Sequence, residues 1–267
     1  MNQIPTERFT SRVDDYVNYR PHYPQAVLEA LRERTGLRPS HSIADVGSGT
    51  GISSELLLAN GNLVFGVEPN RAMRKAGEQY LATYKNFRSI EGTAEHTTLP
   101  DDSVDYVVAG QAFHWFDVER AREEFQRILR PGGWVVILWN DRDAMSTPFL
   151  REYERLLINF GTDYLEVNHR NVVIASSPDA NIVNSNGLRT IDFFRGQPVL
   201  ELKFENIQEL DYAGLEGRLL SSSYIPSRGD EKFEPMLRAL RKMFDRYAIG
   251  GKVEMVYQTL LYAGKVT

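Results

Sequence analysis

The chain has 267 residues, 42% of them hydrophobic and 25% charged, with a formal net charge of −5 and no cysteine. That length allows one large domain, or a domain with an appended lobe, and a sizeable core. The missing cysteine excludes disulfides, thiolate metal sites, iron–sulfur clusters and a cysteine nucleophile, and the mild acidity argues against a main affinity for a phosphate backbone.

The segment from Met1 to Arg12 is polar, with no apolar signal core, and no apolar run reaches membrane-spanning length. The expectation is a cytoplasmic protein without a membrane partner. Residues 1–22 are rich in Arg and Tyr. Pro24 then suits the first turn of a helix carrying Val27, Leu28 and Leu31 on one face, and Gly36 stops it. From Ser42 to Trp139 short apolar runs alternate with segments of helical period. The predicted strands are Ser42–Val46, Leu63–Glu68, Phe87–Glu91, Val104–Ala109 and Trp134–Trp139, and the predicted helices lie near Ile52–Ala59, Arg71–Tyr84 and Val118–Leu129. Near-continuous apolar strands alternating with helices specify an α/β fold with a parallel sheet covered on both faces.

Beyond Trp139 the rhythm breaks. A helix is expected near Phe149–Phe160, residues 161–198 carry no clear pattern, and Val199–Asn206 alternates as a half-buried strand. Met236, Leu237, Leu240, Phe244 and Tyr247 mark an amphipathic helix stopped at Gly250–Gly251, and Val253–Ala263 reads as a closing strand. The last two strands, separated by an insertion, are expected to finish the sheet as an edge hairpin, with extra helices over one end.

The strongest chemical signal is Asp45-Val46-Gly47-Ser48-Gly49-Thr50-Gly51, where the first strand runs into a helix. Glycines permit a sharp turn and close approach of a ligand to the main chain, and the helix start offers unpaired N–H groups to an anionic group. Such a loop also occurs as a plain tight turn, so its context matters. Glu68 closes the second predicted strand, where a carboxylate is placed to accept both hydroxyls of a ribose. Gly92-Thr93-Ala94-Glu95 follows the third strand, which brings the Ala94 N–H and the Glu95 side chain toward an adenine edge. After the fourth strand come Gln111-Ala112-Phe113-His114-Trp115-Phe116. His114 is either a general base, through an imidazole that titrates near neutrality, or part of a pocket wall. His22, His41, His96 and His169 show no ligand spacing, so no metal site is predicted.

The glycine loop, the acid in Phe65-Gly66-Val67-Glu68-Pro69-Asn70, the stretch from Gly92 to Asp105, the strand from Arg127 to Ile137 and the entry segment from Arg12 to Pro24 resemble class I S-adenosylmethionine-dependent methyltransferases. The likeness is greatest to the small-molecule group called methyltransferase type 11, and it covers residues 9–140 well. It implies a Rossmann-like, doubly wound, seven-stranded sheet whose last strand is antiparallel. S-adenosyl-L-methionine would lie across the carboxyl ends of the first strands. By the resemblance, Gly47, Ser48, Gly49 and Gly51 form the cofactor loop and Asp45 braces it. Glu68 with Pro69 holds the ribose, Thr93, Ala94 and Glu95 the adenine, and Gln111 the methionine part. Tyr19 and Arg20 stand near the cofactor carboxylate.

The division that follows is 1–36 as an N-terminal lid and first helix, and 37–267 as the methyltransferase domain with a substrate-capping insertion around 141–198 and 207–250. Residues 9–23, with Tyr16, Tyr19 and Arg20, are expected to be a mobile lid that orders over the cofactor. Ser221 to Pro226 resembles a segment that lines acceptor pockets in this family, and it also reads as an ordinary loop. Ile52 stands where an NAD fingerprint needs glycine. The stretch after the fourth strand lacks the Asn/Asp-Pro-Pro-aromatic motif of amino-directed nucleic-acid methyltransferases. The expected acceptor is therefore a small molecule rather than nucleic acid, on a monomer or homodimer. The alternatives are a cofactor-binding protein without transferase activity and a protein or nucleic-acid methyltransferase.

Overall fold

A computed structural model of the chain describes residues 19–162, 164 and 190–266. Elements are numbered along these residues. Helix α1 (Gln25–Thr35) follows Pro24 at its N-cap and ends at Gly36, whose φ of 75° carries the left-handed turn. Then come β1 (Ser42–Val46), α2 (Ile52–Ala59), β2 (Leu63–Val67), α3 (Arg71–Tyr80), β3 (Phe87–Ile90), β4 (Val104–Gly110), α4 (Val118–Ile128) and β5 (Leu129–Arg142). The chain continues with α5 (Pro148–Phe160), β6 (Val199–Leu210), α6 (Tyr212–Leu220), α7 (Phe233–Tyr247) and β7 (Val253–Gly264). Two 3-10 turns, Phe113–Trp115 and Thr190–Phe194, complete the described elements.

The sheet has seven strands in the order β3-β2-β1-β4-β5-β7-β6. The first five are parallel, and β7 runs antiparallel between β5 and β6. This is the doubly wound fold with an antiparallel last strand, and β6 is the edge of the expected closing hairpin.

Alternation along the strands builds two cores. Ala44, Val107, Ala109, Val135 and Ile137 face one side, with Ala121 and Phe125 of α4 and Phe193 beside them. Ile43, Val108, Val136 and Leu138 face the other, under Val27, Leu28 and Leu31 of α1 and Leu57 and Leu58 of α2. A third core joins α5, α6 and α7 to the far ends of β6 and β7 through Leu150, Leu157, Leu215, Leu240, Met255 and Tyr257. These are the extra helices over one end, and they roof the carboxyl edge of the sheet.

Strand β5 runs from Leu129 to Arg142 rather than from Trp134 to Trp139, and three other boundaries differ for a clear physical reason. Helix α3 ends at Tyr80 rather than Tyr84, because Leu81 leaves helical backbone and is buried against the glycine loop. Helix α4 gives way to strand at Leu129, since Leu129 pairs with Val104 ahead of the Pro131-Gly132 bend. Strand β6 runs on to Leu210, because β7 supplies a hydrogen-bonding partner along its whole length.

Residues 9–18 of the expected lid, Tyr16 among them, lie outside the described residues, as does most of the stretch 161–198 that carries no clear pattern. Residues 19–23 are tied to the rest of the fold. Gln208 Nε2 donates to the Tyr19 carbonyl at 3.0 Å, Asn206 Nδ2 to the His22 carbonyl at 2.8 Å, and Arg20 Nη2 to the Ser221 carbonyl at 2.8 Å. The Tyr19 ring lies against Gly217 of α6, where any Cβ would collide with it.

Candidate active site

The β1–α2 loop turns on three glycines with positive φ: Gly47 at 70°, Gly49 at 57° and Gly51 at 93°. Its start extends the sheet, because Gly47 and Ser48 both donate to the Val67 carbonyl, at 2.8 and 3.2 Å. A Cβ on Gly47 would meet the Ala112 Cβ at 2.5 Å, and one on Gly51 would meet Leu81 at 2.6 Å. At Gly49 the nearest obstacle is the tip of Met73, at 3.4 Å. The loop is thus packed tightly at its two ends and open at its middle, the geometry a ligand needs to reach the main chain. Replacing Gly47 by alanine is expected to combine a strained left-handed backbone with that clash. A loss of roughly 1–3 kcal/mol in denaturant unfolding follows from strain of this kind.

Asp45, two residues before Gly47, is fully buried and accepts hydroxyl hydrogen bonds from Ser53 at 2.7 Å and Ser54 at 2.6 Å. It ties the strand end to the first turn of α2, and it does not line the cavity. Burial pushes its carboxyl up to about 6, against the pull of the Ser54 and Ser53 hydroxyls. An acid raised in the folded state costs stability as pH climbs from its unfolded value toward about 6, and the whole cost is present above that. Asp45→Asn removes it. The stability difference in favour of the variant should therefore grow between acid and neutral pH by roughly 2–3 kcal/mol, read from urea unfolding at the two ends of that range.

Glu68 stands one residue past β2 and is 8% exposed. Its two oxygens accept from the Asn70 N–H at 2.8 Å and the Gly49 N–H at 2.9 Å. The carboxylate is thereby fixed beside the glycine loop with lone pairs to spare. Burial raises its pKa, while those two amides and Arg74 pull it down.

These groups open on one cavity of about 1050 Å³. Gly47, Ser48, Gly49, Glu68, Pro69, Ala94 and Glu95 line one end of it, and Gln111 and His114 line its middle. Arg20 reaches it as well. Tyr19, Gly51 and Thr93 do not. Tyr19 packs on α6, Gly51 caps α2, and Thr93 is exposed and exchanges two backbone bonds with His96. Two placements refine the expected roles. The Glu95 carboxylate accepts from the Asp117 N–H at 2.9 Å. The Gln111 amide is engaged with the Asn140 backbone on both sides, at 3.3 and 3.1 Å, and its φ of 56° turns the chain away from β4. His114 sits on the 3-10 turn after β4, its ring centroid 4.5 Å from that of Trp115 and 5.0 Å from that of Trp139.

Of the far end of the cavity, only the segment Ser221 to Pro226 was visible in the sequence. That end is lined by Trp139, Asp141 and Arg142 of β5, by Glu154 of α5, by Arg218 of α6, and by Tyr164, Tyr224 and Tyr257. From the segment Ser221 to Pro226, Ser223 and Tyr224 reach the cavity. Burial pushes the Asp141 carboxyl up to about 6, with Arg142 opposing. A polar run, Asn140-Asp141-Arg142-Asp143, directly after an apolar strand was the available signal for this end. Arg218 had none. Among the described residues no cluster of three or more metal-binding side chains is present, and no helix is long and apolar enough to cross a membrane.

Residues 44–137 match the model of a methyltransferase domain family. An uncharacterized methyltransferase of Bacillus licheniformis is 32% identical over 153 residues, 53% of this chain and 70% of that protein. The chain belongs to the class I S-adenosylmethionine-dependent methyltransferase family. Uncharacterized methyltransferases of Schizosaccharomyces pombe and Mycobacterium tuberculosis are 31% and 37% identical over 56% and 51% of this chain. The matches span little more than half of those two proteins, 58% and 53%. A solved structure described as a type II methyltransferase, from Anaeromyxobacter dehalogenans, shares the fold with a TM-score of 0.65 at 22% identity, over 93% of this chain and 98% of that chain.

Proposed function

We propose that this protein transfers a methyl group from S-adenosylmethionine to a small-molecule acceptor. The observation that carries this reading is the continuity of the cavity, from the Gly49 and Glu68 end to the Trp139 and Arg142 end. Its volume of about 1050 Å³ exceeds what one drug-sized ligand commonly fills, and leaves room for a nucleoside cofactor and a small acceptor together. The buried, doubly anchored Glu68 suits a ribose, and the open middle of the glycine loop suits a tail that contacts main chain. Arg20 suits a carboxylate.

When bound, the cofactor supplies an electrophilic methyl on a sulfonium, displaced in line to leave a neutral thioether. The protein's contribution is then alignment and exclusion of water. Phe116, Trp115 and Trp139 present aromatic surface to the cavity, which favours a cationic sulfur through the ring faces. His114 is held beside two indoles at the middle of the cavity and takes the proton of an acceptor that must lose one. Helices α5, α6 and α7 form the substrate cap over the sheet.

Incubating the protein with labelled cofactor and a metabolite extract tests this. A labelled small molecule is expected. Label appearing only on protein or polynucleotide would overturn the acceptor class, and no label at all with intact cofactor binding would leave a binding protein.

A further inference from the structure

Among the described residues, the acceptor end of the cavity holds two buried guanidinium groups and one carboxylate paired with them. Arg142, its side chain 13% exposed, forms an ion pair with Glu154 and donates to the Tyr164 hydroxyl at 3.2 Å. Its Nη1 is buried and has no partner among the described residues. Arg218 is 5% exposed and donates to two neutral hydroxyls, Tyr257 at 2.9 Å and Ser222 at 3.3 Å. Among the described residues it has no carboxylate within ion-pair distance. The two arginines share one neighbourhood, because Arg142 is paired across β5 and β7 with Tyr257, whose hydroxyl receives Arg218. Tyrosine rings complete it: Arg142 lies 5.2 Å over Tyr153 and Arg218 lies 5.9 Å over Tyr257.

Phenols solvate a guanidinium but bring no charge, so among the described residues Glu154 is the one carboxylate paired with either arginine. Asp141 lies on the opposite face of β5 by strand alternation and forms no ion pair with Arg142. Asp143 is turned to its own loop, where it accepts from the Met145 and Ser146 N–H groups at 2.7 and 2.9 Å. A buried cation without a counter-ion is costly, and a fold that keeps one on a cavity wall keeps it for a ligand. Arginine presents a fork that matches a carboxylate with two parallel hydrogen bonds. We propose that the acceptor bears a carboxylate and that Arg218, with Arg142 beside it, holds that group. Asp141 and Glu154 share this wall with the two arginines, so the site suits one negative charge better than a phosphate monoester, which carries nearly two at neutral pH. Cofactor capture belongs to the other end of the cavity, where Gly49 and Glu68 stand.

This assignment rests on the methyltransferase reading, and calorimetry separates the two. S-adenosylhomocysteine is titrated first, then acetate, benzoate, succinate and inorganic phosphate into the saturated protein at constant ionic strength. At least one carboxylate is expected to bind, its neutral methyl ester is not, and phosphate should bind more weakly. In Arg218→Gln the carboxylate affinity should fall tenfold or more, and in Arg218→Lys by less, with S-adenosylhomocysteine affinity within twofold in both. That retained affinity reports folding. If Arg218→Gln does not fold, the acid-against-ester comparison on the wild-type protein decides alone. Failure of every carboxylate to bind a protein that binds S-adenosylhomocysteine overturns the anion site. So does equal binding of acid and ester, or undiminished carboxylate binding by Arg218→Gln, and tighter phosphate binding overturns the carboxylate. Failure of S-adenosylhomocysteine itself overturns the methyltransferase reading instead.

Discussion

Replacing His114 by alanine is expected to lower kcat by roughly 10²–10⁴ while cofactor affinity stays nearly intact, the range for loss of a positioned general base. The ring sits on the turn immediately after β4 and on the cavity wall, at the carboxyl edge where parallel sheets place their ligands. Trp115 and Trp139 flank it at 4.5 and 5.0 Å between centroids, so the imidazole is aimed by packing rather than left to sample rotamers. Asparagine separates chemistry from shape. It has a polar side chain of similar reach and takes up no proton at neutral pH. If His114 is the base, His114→Asn falls as far as His114→Ala, and the loss lies in kcat. Near-normal turnover for His114→Asn, or a loss confined to KM for the acceptor, would leave His114 as pocket wall and alignment as the main catalytic effect.

Glu68→Ala is expected to weaken S-adenosylhomocysteine binding by tenfold or more. Two hydrogen bonds from a ribose to a carboxylate are lost, each contributing roughly 1.5–3 kcal/mol when one partner is charged. The substitution also strands the Gly49 and Asn70 N–H groups that the carboxylate now satisfies, which loosens the loop at its ligand-facing residue. Glu68→Gln keeps the shape and one acceptor oxygen, and should fall between Glu68→Ala and the wild type. Because burial raises the Glu68 pKa, wild-type affinity should weaken on acidification, as the carboxylate protonates above the ordinary Glu range. Calorimetry against pH reads both effects. An unchanged dissociation constant in folded Glu68→Ala would remove Glu68 from the ribose site.

The Gly49 and Glu68 end of the cavity was legible in the sequence because its determinants are local. Gly47, Gly49 and Gly51 are needed where a strand turns into a helix within a few residues, and Glu68 and Ala94 follow the next two strands at the spacing of one βα unit. Strand order then brings the three loops together, and the parallel-sheet rule says at which edge. Tyr19, Gly51 and Thr93 show the limit of this reasoning. Being near a loop in sequence does not put a side chain on the cavity, and here packing on α6, capping of α2 and a turn bond to His96 claim them.

The far end of the cavity belongs to another class of information. Arg142 and Arg218 are far apart in the chain, and they meet because β7 returns antiparallel between β5 and β6 and brings Tyr257 opposite Arg142. Helix α6 then lays Arg218 on the same tyrosine. In sequence, Arg142 and Arg218 are two ordinary arginines, one in a polar run and one among the unassigned residues between two strands. From composition and period alone came the α/β class, the alternating cores and the glycine loop, because hydrophobic spacing and glycine placement act over a few residues. Which charges are buried together, and which lack a counter-ion, depended on contacts between distant segments, and only the tertiary structure decided that.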